Sequence, residues 1–199
     1  MKKITILVLL ILSFLAGVIT SSIVWRNTQI NEKIFIAQTI TITKCPTKCI
    51  ENLSSIFYEV YFSPNGGCEK RLIYWFNKAN FSIHVMIYSF TLDSISDALI
   101  AAYKRGVEVK VIIEKEQLNE YSEYYKLKNA GIEVKLDANP ALMHNKVAII
   151  DGIIVITGSY NWSLSAETKN NENMIIIKNA EVAKIYEEEF QKIWRESIW

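Results

Sequence analysis

HNKVAIIDGIIVITGSYN, residues 144–161, is the stretch on which the reading of this chain turns. Two apolar runs, 147–150 and 153–157, flank Asp151-Gly152, a two-residue hairpin signal in which both turn positions favour positive φ. Side chains two apart leave an extended strand on one face, so His144 and Lys146 pair on the first strand. Ser159 and Asn161 repeat the arrangement on the return strand. Folding the hairpin would bring both polar pairs to its open end. An imidazole, an ammonium, a hydroxyl and an amide around one point suit a phosphate.

Outward from this hairpin, short apolar runs alternate with segments of helical periodicity. The pattern predicts strands over 56–62, 82–89, 107–113, 132–136 and 174–177. Helices are expected over 69–79, from a cap at Asp93 or Ser94 to Arg105 with Gly106 as the stop, over 118–130 ended by Gly131, and over 181–195. Leu72, Ile73 and Phe76 share one face of the first helix; Val182, Tyr186, Phe190 and Ile193 share a face of the last. Such alternation implies an α/β sandwich with a mixed β-sheet flanked by helices, parallel at crossovers and antiparallel at the hairpin. With no internal repeat, the chain carries the 144–161 pattern once.

The order H-x-K-x4-D-x6-G-S-x-N, here His144, Lys146, Asp151, Gly158, Ser159 and Asn161, resembles the HKD signature of the phospholipase D superfamily. The similarity extends over about residues 56–194 and takes in 60–64 (VYFSP), 86–91 (MIYSFT), 105–107 (RGV) and 171–173 (NEN). With one signature in a short domain, the chain is similar to the Nuc-type endonucleases and to the mitochondrial cardiolipin hydrolase (Zucchini) branch.

That resemblance implies a phospholipase D-like sandwich and a phosphodiesterase that works without metal or cofactor. It implies His144 as a nucleophile forming a phosphohistidine, with Glu172 as the carboxylate that orients it. Lys146 and Asn161 would then stabilise charge on the phosphate oxygens. Ser159 either donates to the phosphate or closes the Gly-Ser turn. Asp151 belongs to the signature but is expected to support the fold, in agreement with its place in the turn. The leaving oxygen needs an acid, and the remaining histidine, His84, is expected on a half-buried strand. A homodimer would supply it by bringing two copies of His144 into one cleft.

Under this reading the substrate is DNA or RNA, cleaved by a non-specific endonuclease, or else a membrane phospholipid such as cardiolipin. A catalytically silent, membrane-tethered binding module is the third reading. Tyr121, Tyr124 and Tyr125 could stack on bases, although their helical spacing suits packing.

Composition divides the 199 residues into three parts. Residues 1–26 are expected to be an N-terminal membrane anchor or signal segment: 4–25 carry no charge, enough helix to span roughly 30 Å. Lys2 and Lys3 would leave the catalytic domain extracytoplasmic, and signal cleavage would leave it secreted. Residues 27–54 read as a juxtamembrane tether with Cys45, Cys49 and a possible strand at 39–43. Residues 55–199 form the catalytic domain. From residue 56 onward there are 16 Lys and Arg against 19 Asp and Glu, a net of −3, so no bulk basic footprint favours nucleic acid. Cys45, Cys49 and Cys68 are expected as one disulfide plus a thiol, or as three thiols, because a zinc site there lacks a histidine.

Overall fold

The computed structural model describes residues 57–199. The expected anchor, the tether, Cys45, Cys49 and the possible strand at 39–43 lie outside the described residues. Among the described residues no helix is long and apolar enough to cross a membrane.

In chain order the elements are β1 (Phe57–Ser63), α1 (Cys68–Lys78), β2 (Ser82–Ile87), α2 (Asp93–Lys104), β3 (Glu108–Ile113), a 3₁₀ turn (Lys115–Gln117), α3 (Tyr124–Asn129), β4 (Glu133–Leu136), β5 (Lys146–Ile150), β6 (Ile154–Gly158), α4 (Leu164–Thr168), β7 (Glu172–Lys178) and α5 (Ala180–Glu196). The strands form one sheet in the order β1-β7-β6-β5-β2-β3-β4. β2, β3 and β4 run parallel, joined by crossover helices, and every other neighbouring pair is antiparallel. This is the mixed α/β sheet with flanking helices that the alternation implies.

The central strands read as unbroken apolar runs because both of their faces are covered. On β5, Ala148 and Ile150 enter the core beneath α1 to α3, with Leu72, Phe76, Leu99 and Leu127. Val147 and Ile149 point the other way, into a second core with Met86, Ile112, Val155 and the α5 residues Ala183, Phe190 and Ile193. Cys68, fully buried at the start of α1, forms no disulfide, and burial pushes its thiol up to about 11.

Three local expectations are corrected. Neither Asp93 nor Ser94 caps α2: its cap position is Leu92, with no side-chain cap bond, because the Ser94 hydroxyl is drawn to Glu69 (2.5 Å) and Asp93 to Lys126 (2.8 Å). The helix expected over 118–130 is confined to α3. Its first half is diverted by one local side-chain bond, in which Asn119 Oδ1 accepts from the Tyr121 amide (2.9 Å), and by a distant backbone bond, in which the Glu123 amide donates to Phe90 O (3.1 Å).

The hairpin differs by one residue. Asp151 and Gly152 hold positive φ (53° and 64°) and the Ile153 amide closes the turn on Ile150 O at 3.1 Å. Register then pairs Ile150 with Ile154, so Ile153 is an extra, unpaired residue. Its carbonyl accepts from the Asn179 amide (2.8 Å), which ties the hairpin to the start of α5.

Candidate active site

The open end of the hairpin is also where four other chain segments converge. β5 begins at Lys146 opposite Ile87, the last residue of β2. β6 ends at Gly158 opposite Met174, and β7 begins at Glu172 opposite Ser63. Beyond β2 the chain continues between the two hairpin arms. The Tyr88 amide donates to Asn145 O (2.9 Å), the Trp162 amide donates to Ser89 O (3.0 Å), and the Thr91 amide donates back to Trp162 O (2.8 Å). His144, Lys146, Ser159, Asn161 and Glu172 therefore lie at one end of the sheet, at the C-terminal ends of the parallel strands β2 and β3, where α/β sheets usually hold their ligands.

Lys146 is the most constrained member. It is 7% exposed, its Nζ donates to His144 O (2.8 Å), and it lies 4.8 Å from the centre of the Tyr88 ring. No carboxylate forms a salt bridge with it among the described residues. Burial pulls its pKa below the ordinary lysine value, and the charge of nearby Glu172 pushes back the other way. The site thus holds a buried ammonium with capacity left for an anion. His144, two residues earlier, is exposed and precedes β5, so the strand does not carry both side chains as the spacing suggests. Its ring lies 4.4 Å from that of Tyr88, inclined by 60°.

Glu172 is bonded to the other hairpin arm. Its Oε2 accepts from the Ser159 hydroxyl (2.5 Å) and its Oε1 from the Asn170 amide side chain (3.2 Å). No hydrogen bond joins it to His144 among the described residues, so the orienting bond implied by the resemblance is not made in this structure. Ser159 Oγ in turn accepts from the Asn173 amide (3.1 Å), which ties the end of β6 to the start of β7. Gly158 is required there: its φ is 150°, and a Cβ would stand 2.2 Å from Asn173 O. Asn161 is half-buried, and its Oδ1, an acceptor, is enclosed without a hydrogen-bond partner.

Asp151 sits at the opposite end of β5. Its carboxylate accepts the amides of Asn80 (3.0 Å), Phe81 (2.8 Å) and Ser82 (3.0 Å), stitching the α1–β2 loop to the hairpin turn. His84 also faces away from the site, more deeply than expected at 8% exposed. Its ring nitrogens meet Glu187 (2.9 Å) and Glu108 (3.0 Å), and the ring stacks on Phe190 (4.6 Å). Burial alone would lower its pKa, but these two carboxylates outweigh it and hold His84 above the usual histidine value.

Beside His144 runs a groove of about 570 Å³, lined among others by Asp137, Asn139, Leu142, Glu189 and Lys192. Of the three tyrosines, Tyr124 is buried, whereas Tyr121 and Tyr125 are 71% and 57% exposed. Sequence reasoning assigned no role to Tyr88, Glu114 or Gln117, all of which bear on the His144 loop. The available signal was Glu114 itself, a carboxylate that directly follows the apolar run 111–113.

Comparisons with known proteins agree with this geometry. Residues 72–194 match the family described as cardiolipin synthase, PLD-like domain. A phospholipase D from Rickettsia typhi is 35% identical over 177 residues, covering 88% of this chain and 85% of that one. A mitochondrial cardiolipin hydrolase from Xenopus tropicalis is 33% identical over 127 residues, 63% of this chain and 60% of that one. Among solved structures, the phospholipase D family member Nuc from Salmonella typhimurium matches with TM-score 0.69 and 36% identity, over 72% of this chain and 97% of its own. NucT from Helicobacter pylori follows at TM-score 0.67 and 27% identity, over 72% and 99%. This chain belongs to the phospholipase D superfamily and is a phosphodiesterase hydrolase of that family.

Proposed function

We propose that the chain hydrolyses nucleic-acid phosphodiesters without a metal ion, through His144, in a homodimer. The observation that carries the chemistry is the buried Lys146 ammonium, unpaired with carboxylate and placed against the His144 backbone. A phosphate brought to it stands beside the only imidazole at this end of the sheet among the described residues. A ring nitrogen of His144 attacks phosphorus; the N–P bond forms as the P–O bond to the leaving alcohol breaks. The second copy's His144, protonated, gives its proton to the departing oxygen. It then takes one from the water that cleaves the N–P bond. Lys146 and the side-chain NH₂ of Asn161 donate to the phosphate oxygens and stabilise the charge gathering on them, with Ser159 and Glu172 holding the facing arm.

A surface suited to a second copy adjoins the site. Tyr58, Val60 and Phe62 share one face of the edge strand β1 and are 65%, 46% and 63% exposed. α5 packs on β2, β5 and β6 and leaves this face uncovered. β1 runs directly into the Ser63–Glu172 pair.

Support for nucleic acid as substrate is the resemblance of the single signature to the Nuc-type endonucleases, with 36% identity to the phospholipase D family member Nuc over nearly its whole length. The second reading is phospholipid, favoured by the named activities of the Rickettsia and Xenopus relatives and by the net −3 of residues 56–199. A membrane anchor at 1–26 with an extracytoplasmic domain would serve that reading.

One panel tests both. The protein is incubated in excess EDTA with plasmid, single-stranded oligonucleotide, RNA, and vesicles containing cardiolipin or phosphatidylcholine. Cleavage of nucleic acid that persists in EDTA and vanishes in His144→Ala is the expected result. Cleavage of lipid alone transfers the proposal to the second reading, and activity that returns only with added Mg²⁺ or Zn²⁺ overturns the mechanism.

A further inference from the structure

We infer that Glu114 and Gln117 are positioning residues for the His144 imidazole, acting from the 3₁₀ turn through the loop that carries it. The inference rests on the reading of His144 as nucleophile. Glu114 is 0% exposed, yet it lies at the end of a strand that is otherwise apolar in its last three positions. A buried acid is unfavourable unless its oxygens are engaged, and both are. Oε2 accepts the Met143 amide at 2.6 Å and Oε1 accepts the Glu116 amide at 3.0 Å. The first of these bonds clamps the residue immediately before His144.

The same turn reaches the site at two more points. Gln117 Nε2 donates to the Tyr88 hydroxyl (3.0 Å), and Tyr88 supplies the ring against which the His144 imidazole rests at 4.4 Å. Lys115 Nζ donates to Asn139 O (2.9 Å), near the start of the His144 loop. The turn is itself set by the sheet, because the Glu114 amide donates to Ile87 O (3.1 Å) at the junction of β3 with β2. His144 is exposed and makes no side-chain hydrogen bond to Glu172 here, so its ring is placed by backbone anchors and the Tyr88 face. A carboxylate is needed at 114, because two N–H donors converge on it. A carboxamide offers one acceptor and turns its NH₂ toward the other donor.

The test compares Glu114→Gln, Glu114→Asp, Gln117→Ala, His144→Ala and the core variant Leu99→Ala. Each is assayed well below its thermal midpoint on bis-p-nitrophenyl phosphate or on the substrate that the panel above identifies. Glu114→Gln should lower kcat about 10- to 100-fold with KM changed less than about twofold, because displacing a reacting group by an ångström has effects of that order. Glu114→Asp should recover part of the loss. Leu99→Ala, destabilised through the core far from the loop, should keep its kcat. Should Glu114→Gln fail to fold, Gln117→Ala decides alone, since it removes only the bond to Tyr88. A several-fold fall in its kcat supports the inference. Unchanged kcat in the folded 114 and 117 variants overturns it while an inactive His144→Ala leaves the nucleophile reading intact. An active His144→Ala overturns that reading instead.

Discussion

Removing the Asp151 carboxylate should cost stability and leave catalysis alone, although Asp151 belongs to the same signature as His144. Its oxygens accept three backbone amides, those of Asn80, Phe81 and Ser82. Bonds of this kind at a partly exposed carboxylate contribute about 1 kcal/mol each, so the set is worth about 3 kcal/mol. Glycine is the informative replacement, because position 151 holds φ 53° and alanine there would add left-handed strain. In a domain of this size about 1 kcal/mol moves the midpoint by about 3 °C, so Asp151→Gly should unfold about 10 °C lower. Seven residues of extended chain separate Asp151 from His144, roughly 20 Å. Calorimetry gives the midpoint, and kcat is measured at 25 °C where both proteins are folded. A shift under about 2 °C would discard the stitching role. A fall in kcat beyond about threefold in the folded variant would show that the acid acts on the chemistry.

His84 makes a pH-dependent contribution of known sign. Its folded pKa lies above the ordinary value of about 6.5, so the stability it adds is complete below that pH and is lost as pH rises through the folded value. Glu108 and Glu187, both lowered, add stability that disappears only as the solution becomes acidic. The difference in midpoint between the natural protein and His84→Gln should therefore narrow from about pH 6 to about pH 9, and a gap constant across that range would refute the bridge. Gly158→Ala should be far more damaging than its size suggests, by about 2 kcal/mol or more, because the new methyl would stand 2.2 Å from Asn173 O. Denaturant unfolding tests this, and a midpoint within error of the natural protein would mean that the β6–β7 crossing yields freely.

Much of the fold could be read from local pattern. Both turn residues at 151 and 152 hold the positive φ that Asp-Gly favours, and the face of the last helix carrying Val182, Tyr186, Phe190 and Ile193 does pack on the sheet. Where the structure differs from these expectations, distant partners, and in one case a short-range side-chain bond, overrode helix and turn preference. Ser94 left its cap position for Glu69, and Ile153 dropped out of register so that its carbonyl could meet Asn179. The expected helix over 118–130 lost its first half to the Asn119 side chain and to Phe90.

The division at the active end follows the same rule. Sequence by itself determined which chemical groups are present and that hairpin folding gathers them, because residue spacing and turn chemistry act over a few bonds. Tertiary structure alone decided that Lys146 is buried while His144 is exposed, and that Glu172 is occupied by Ser159 and Asn170. It also decided that the loop before His144 is held by Glu114, about 30 residues earlier in the chain. Burial and pairing are set by what the rest of the sheet brings alongside, and no spacing within one segment encodes that neighbourhood.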